Sequence, residues 1–408
     1  MTYNVLLKRP DGSKIIHGNA LEVLKDLPSN SVDCVITSPP YWQKRTYGEE
    51  CIVRWFDGWE GELGLEPTPS MYINHLIEIF REIKRVLKPH GNVFVVIDDT
   101  YNSGRHKWKP TDIEDPKWIG RNYLPLHDWH VEGIDRKSLL LIPERFAIAM
   151  VDKLGFILRN KIIWSKKVHI YKDRTTIGNA MPESVKDRLC HTYEFIYHFV
   201  KEPKYYYDLD AVRIPHKPQS YKRYEYDISA CQIPGFAFPN EKRNEPFSWN
   251  LHPLGANPGD VVQINTEPFP DAHFSVFPTK LVEFLIKLGC PAQVCKKCGR
   301  PRERIVEKIT INAQDKRPDR KQIGHPQKQR GGDSVVYTVG WTDCGCNAGF
   351  EPGIVLDPFL GSGTTALVAL QMGRRFIGIE LNRSYCEMAI KRIKPHLSQM
   401  RLDMLCSC

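Results

Sequence analysis

The segment that most limits how this chain can fold lies near its end. An apolar run at 353–356 is followed by Asp357-Pro358-Phe359-Leu360-Gly361-Ser362-Gly363-Thr364-Thr365, and a helical pattern then continues to Gly373. This order reads as strand, tight turn and helix. Gly361 and Gly363 allow sharp turning and close approach of a ligand to the backbone. The helix start offers free N–H groups. A second strand, 375–380, ends at Glu380, 23 positions after Asp357. In dinucleotide folds an acid so placed accepts the ribose hydroxyl hydrogens. No lysine stands in the loop, so the phosphate-binding Gly-x-x-x-x-Gly-Lys-Ser/Thr pattern is not met and ATP is disfavoured.

The rest of the chain repeats the alternation. Strands are predicted at 15–16, 32–36, 93–97, 158–164 and 194–200, with helices at 20–27, 71–87 and 143–154. The 71–87 helix has apolar residues at Ile73, Leu76, Ile77, Phe80, Ile83, Val86 and Leu87, and Lys88-Pro89-His90-Gly91 stops it. Helices at 278–288, 364–372 and 384–393 close the chain. Strands alternating with helices imply an α/β fold with a mostly parallel sheet and helices on both faces.

A second segment, Thr37-Ser38-Pro39-Pro40-Tyr41-Trp42, directly follows the 32–36 strand. It should therefore lie at the carboxyl edge of the sheet, where α/β proteins bind ligands. Two prolines fix the backbone and remove two N–H donors. The Ser38 hydroxyl and the Pro39 carbonyl can then accept hydrogens from an amino group, and Tyr41 offers a flat face. These features suit a base turned out of a duplex. A plain Pro-Pro turn closing a strand is the bland alternative.

Taken together, the segments resemble the amino-methylating DNA methyltransferases in the circularly permuted arrangement, where the base pocket precedes the cofactor loop. Ser38-Pro39-Pro40-Tyr41 is similar to their catalytic motif and Asp357–Thr365 to their S-adenosylmethionine motif. Residues 158–164, 182–188, 273–278 and 378–382 also match in order. The resemblance implies a Rossmann-like S-adenosylmethionine-dependent methyltransferase fold. It implies cofactor contacts from Asn19, Thr37, Phe277, Pro278, Lys280, Asp357, Pro358, Phe359, Gly361, Gly363, Thr364, Thr365, Glu380 and Asn382. The helix after Phe277-Pro278-Thr279-Lys280 would close over the methionine part of the cofactor. Family members commonly have Gly-Asp where this chain has Gly18-Asn19; asparagine keeps one acceptor. Serine at the head of the catalytic motif tends to accompany methylation of cytosine N4, whereas Asp or Asn tends to accompany adenine N6. Cytosine N4 is the expected target, with adenine N6 the alternative. A non-catalytic nucleic-acid-binding protein on this fold, or an RNA methyltransferase, would be a different outcome. The expected partners are double-stranded DNA and, functionally, a cognate restriction endonuclease.

Cys295-Lys296-Lys297-Cys298 and Cys344-Gly345-Cys346 are separated by 45 residues. Two close thiol pairs suit a structural zinc site with four cysteine ligands. The segment between them has little apolar content and carries ten Lys/Arg against six Asp/Glu, so it needs a staple to fold. The expected layout is a catalytic half at 1–200, a target-recognition region at 201–258, a zinc insertion at 291–350, and a cofactor half at 259–290 and 351–400. The 99–137 segment reads as a long functional loop. His191 reads as structural or DNA-proximal rather than catalytic. A net charge of +9 suits a protein that docks on phosphates. No apolar stretch approaches the roughly eighteen residues of a membrane span, and no signal peptide is evident, so a cytoplasmic protein without membrane contact is expected.

Overall fold

The structure, a computed structural model, describes residues 3–102, 130–170, 175–180, 183–217, 219–220, 251–252, 254–267, 277–311 and 333–397. Most of the 99–137 loop and of the 201–258 region, as well as residues 182 and 273–276, lie outside the described residues. The chain forms two compact units. The larger comprises Met1–Asp208, Gly259–Pro301 and Cys346–Cys408, and the smaller comprises Leu209–Pro258 and Arg302–Gly345.

The larger unit is built on a nine-stranded sheet: β1 (Asn4–Lys8), β2 (Lys14–His17), β3 (Val32–Thr37), β4 (Leu87–Ile97), β5 (Ile157–Ser165), β6 (Tyr193–Val200), β7 (Val261–Gln263), β8 (Ile354–Asp357) and β9 (Arg375–Glu380). Their spatial order is β1-β2-β9-β8-β3-β4-β6-β5-β7. The run β2-β9-β8-β3-β4 is parallel throughout. Strand β6 is antiparallel to both its neighbours, β4 and β5. Every residue of β3 is buried, as a parallel strand covered on both faces requires.

Helices α1 (Ala20–Asp26), α2 (Pro69–Val86) and α3 (Ile142–Leu154) pack side by side, as do α4 (Thr279–Gly289), α5 (Thr364–Gln371) and α6 (Arg383–Ile393). The pleat of β4 shows how the two layers divide. Val93, Val95 and Ile97 join the apolar cluster of α1–α3. Phe94 turns the other way, and its ring would lie 2.5 Å from a Cβ at Gly289 in α4. Thr68 caps α2 by accepting from the Met71 N–H, and Pro69 starts the helix where no N–H is needed.

Strand β4 begins six residues earlier than the apolar run suggests. The polar stretch Lys88-Pro89-His90 is drawn into the strand because Asp33, fully buried on β3, needs partners. Lys88 Nζ lies 2.8 Å and His90 Nε2 3.0 Å from its Oδ1. The other oxygen of Asp33 accepts the Ile354 N–H at 2.9 Å, tying β3 to the start of β8. The smaller unit contains a hairpin, Arg304–Ile311 paired antiparallel with Asp333–Trp341, and an isolated bridge between Ile214 and Ala256. No helix among the described residues is long and apolar enough to cross a membrane.

Candidate active site

The parallel strands all end at one edge, and the residues just past those ends converge there. Asn19 follows β2, Ser38 follows β3, Asp98 follows β4 and Lys166 follows β5, while Asp357 and Glu380 are the last residues of β8 and β9. Because β6 runs the opposite way, its second residue, Glu194, enters at the same edge. A cavity of about 400 Å³ opens here within the larger unit. That is within the range of small-molecule sites.

Both sequence segments reach this one cavity. Ser38, Pro39, Pro40 and Tyr41 line it, as do Pro358, Phe359, Gly361, Thr364 and Glu380. Asn19 and Phe277 line it as well. The backbone of Gly361 takes a φ of 52°, which suits glycine, and its N–H donates to Glu380 Oε2 at 2.7 Å. The other oxygen of Glu380 accepts the Asn382 N–H at 2.8 Å. Burial pushes the Glu380 carboxyl up to about 7. Each carboxylate oxygen keeps a further lone pair. The wall also carries the rings of Tyr47 and Tyr385, packed edge to face with centroids 6.3 Å apart.

Several residues of the expected cofactor set act beneath this surface. Asp357 accepts from Thr37 Oγ1 and Thr365 Oγ1, each at 2.7 Å, and from the Phe359 N–H at 3.1 Å. Burial pushes its carboxyl up to about 6. Asn382 caps α6, accepting from the Tyr385 N–H at 3.1 Å, and donates to the Tyr47 carbonyl at 3.0 Å. The Asn19 side chain caps α1, accepting from the Leu21 N–H at 2.8 Å. Gly363 has a φ of 83°, and a Cβ there would stand 2.7 Å from that of Ala389. Pro278 is buried at the cap of α4, and Lys280 is exposed on its first turn.

The Ser-Pro-Pro-Tyr turn is held from outside the motif. The Pro40 carbonyl accepts from Tyr72 Oη at 2.7 Å, while among the described residues no hydrogen bond reaches the Pro39 carbonyl. Trp42 is buried and donates from Nε1 to the Glu66 carbonyl at 3.0 Å. Ser38 Oγ donates to Tyr41 Oη at 3.3 Å, and Tyr41 Oη donates to Glu194 Oε2 at 2.7 Å. Burial and the nearby Glu194 carboxylate push the Tyr41 hydroxyl well above its ordinary range. Lys166 Nζ pairs with the other oxygen of Glu194. Asp98 pairs with His191 Nε2 at 2.8 Å. Burial acts against ionisation of Asp98, and the paired His191 imidazole, the Lys44 charge and the Asp99 N–H together outweigh it, so the carboxyl sits below its ordinary value.

Sequence reasoning did not single out Glu194, Lys166 or Asp98. Asp98 carried a usable signal, since it directly follows an apolar strand, as Ser38 does. Glu194 could be found only by knowing that β6 is reversed.

Away from the cavity, Cys295, Cys298 and Cys346 of the larger unit have their sulfurs within 4.8 Å of one another. Cys344 stands two residues before Cys346 on the chain. The Cys295 N–H donates to the Arg300 carbonyl at 2.9 Å, and the Gly299 N–H donates back to the Cys295 carbonyl at 2.9 Å. Inside this tight turn the Lys297 N–H points at Cys295 Sγ at 3.4 Å. Sulfurs bound tetrahedrally at ~2.3 Å from zinc stand ~3.8 Å apart, so the thiols fit the ion with little adjustment.

Comparison with known proteins gives a consistent picture. A family model of the N6/N4 type, described as DNA methylase, matches residues 32–293 and 348–391. The type II methyltransferase M.Cfr9I of Citrobacter freundii is 32% identical over 385 residues, covering 94% of this chain and 88% of that protein. M.SmaI of Serratia marcescens, also a type II methyltransferase, is 30% identical, with coverage of 93% and 90%. Among solved structures, a PvuII DNA methyltransferase described as cytosine-N4-specific superposes with a TM-score of 0.50 at 16% identity, covering 95% of this chain and 90% of that one. That likeness is one of fold.

Proposed function

The chain belongs to the N6/N4 DNA methylase family, and from that premise we propose that it methylates the N4 amino group of cytosine at a specific site in double-stranded DNA, as the modification enzyme of a type II restriction–modification system. S-adenosylmethionine, the methyl donor of such enzymes, supplies an electrophilic methyl group on a sulfonium sulfur. The cavity's donor set suits that cofactor: Glu380 offers carboxylate lone pairs to ribose hydroxyls, and Phe359, Tyr47 and Tyr385 offer rings to a purine.

The observation that carries the base assignment is Ser38 at the head of its motif. Its hydroxyl proton points toward Tyr41, so its lone pairs are free for an N–H of the target amine. The Pro39 carbonyl is a second acceptor at the same turn. Two acceptors on an exocyclic amine draw its lone pair out of the ring and toward the methyl group, an interaction stronger in the transition state than in the ground state. The Tyr41 ring supplies a stacking face for the flipped base.

Target recognition is assigned to the 99–137 loop, the 201–258 region and the cysteine-bound insertion at 291–350. The insertion is held by zinc on Cys295, Cys298, Cys344 and Cys346. A cognate restriction endonuclease is the functional partner. The test is expression in a host free of DNA methylation, followed by single-molecule sequencing of the genome. N4-methylcytosine at one short sequence is expected. N6-methyladenine would move the assignment to adenine, and unmodified DNA would overturn the enzymatic reading.

A further inference from the structure

We infer that Glu194 and Lys166 are positioning residues that set the polarity of the Ser38 hydroxyl, and that Ser38, Tyr41 and Glu194 form a proton relay out of the base pocket. The inference rests on the methyltransferase reading above and adds residues that lie outside the Ser-Pro-Pro-Tyr motif.

The geometry runs one way. Glu194 is 8% exposed, and one carboxylate oxygen is held by Lys166. A carboxylate can only accept, so Tyr41 must donate to it, at 2.7 Å. With its proton committed, Tyr41 Oη can only accept from Ser38, at 3.3 Å. Ser38 then has no proton left to offer the pocket and faces it as an acceptor. A carboxylate two residues removed thus fixes which kind of hydrogen bond the substrate meets. Without it the serine could turn its hydroxyl toward the base and repel an amine N–H.

The same line of atoms balances the reaction. The amine nitrogen uses its lone pair to form the new N–C bond, and the C–S electron pair stays with sulfur. Nitrogen then carries one proton too many. That N–H bond breaks as the proton passes to Ser38 Oγ, Ser38 passes its own proton to Tyr41 Oη, and Tyr41 passes its own to Glu194 Oε2. The relay ends with a neutral carboxyl beside Lys166, which returns its proton to solvent after product leaves. General acid–base steps of this kind contribute roughly 10²–10⁴-fold.

The test uses the full chain and a duplex carrying the site found by sequencing. Single-turnover rate constants are measured at saturating S-adenosylmethionine and duplex for wild type, Tyr41→Phe, Glu194→Gln and the double variant. Calorimetric Kd values for S-adenosylhomocysteine and for the duplex are measured alongside. Each single variant should slow transfer about 10²-fold with both Kd values near wild type. The double variant should be no slower than the worse single one, because both cut the same relay. Rates near wild type in either variant, or losses that multiply in the double, would overturn the relay. Tyr41→Phe keeps the ring and removes only the hydroxyl, so it decides the matter alone if Glu194→Gln binds neither ligand. A wild-type enzyme that methylates no duplex would instead defeat the underlying reading.

Discussion

Thr37 and Asp357 stand 320 positions apart in the sequence, yet the Thr37 hydroxyl donates to the Asp357 carboxylate at 2.7 Å inside the protein. Thr37 closes the strand that leads into the Ser-Pro-Pro-Tyr turn, and Asp357 closes the strand that leads into the glycine loop. The bond fastens the two segments at their roots, where β3 and β8 lie side by side. Thr37→Val keeps the shape and leaves Asp357 one partner short in a buried place. The expected loss is about 1–3 kcal/mol of stability, read from urea unfolding, with cofactor binding weakened in parallel.

Asp357 and Glu380 also make stability depend on pH. Burial raises their carboxyls to about 6 and about 7, above the ordinary carboxylate range. The folded protein therefore holds protons that the unfolded chain has released. Their stabilising contribution is full at low pH and is lost as pH rises through the two folded values. The melting temperature of the ligand-free protein should fall between about pH 5 and about pH 8, and Glu380→Gln should flatten that slope.

The same carboxyl predicts a proton linked to cofactor binding. Ribose hydroxyls that donate to Glu380 favour its ionised form. Binding of S-adenosylhomocysteine near pH 7 should therefore release protons, seen as a calorimetric enthalpy that varies with the buffer's ionisation heat. Glu380→Gln should weaken binding and abolish the buffer dependence. An enthalpy independent of buffer in the wild type would count against the ribose contact.

Ser38→Ala should separate chemistry from binding. Removing one acceptor of the amine should lower the transfer rate about tenfold to a hundredfold, as an interaction made mainly in the transition state. The Kd for S-adenosylhomocysteine should stay within about twofold, since a change confined to the amine's acceptor acts on kcat. Near-full turnover in the variant would remove Ser38 from its assigned role.

Purified, untagged protein should carry one zinc per chain by elemental analysis. Cys295→Ser or Cys298→Ser should release the metal and lower the melting temperature, because zinc binding is coupled to folding of its site. Protein without zinc, or serine variants with unchanged stability, would leave the four thiols without a structural task.

Much of this architecture was legible beforehand because it is written in apolar runs. The strands at 32–36, 375–380 and 194–200 and the helices over 71–87 and 384–393 all fall within two residues of their observed bounds. Periodicity carries no information on strand direction, so it could not tell that Tyr193–Val200 runs antiparallel. The placement of Glu194 at the reactive edge was hidden for that reason. The early start of Leu87–Ile97 is not legible in the sequence because Lys88 and His90 look like helix-stopping surface residues, whereas a buried carboxylate at Asp33 takes them in. Within the site, the motif residues were recognisable, but the work of Thr37, Asp357 and Asn382 beneath the surface depends on hydrogen bonds that only the folded chain supplies.

The neighbouring of β3 and β8 also bears on when the protein becomes competent. During synthesis β3 emerges early and can pair with β4, but its other side stays an open strand edge until residues 354–357 have been made. Contacts so distant along the chain form late and slowly. The Ser-Pro-Pro-Tyr turn is thus made early, and the cavity it lines gains its wall from Pro358 to Thr364 only when the last part of the chain is added. A chain that stops short of Asp357 lacks both the strand that pairs with β3 on that side and the loop that follows it.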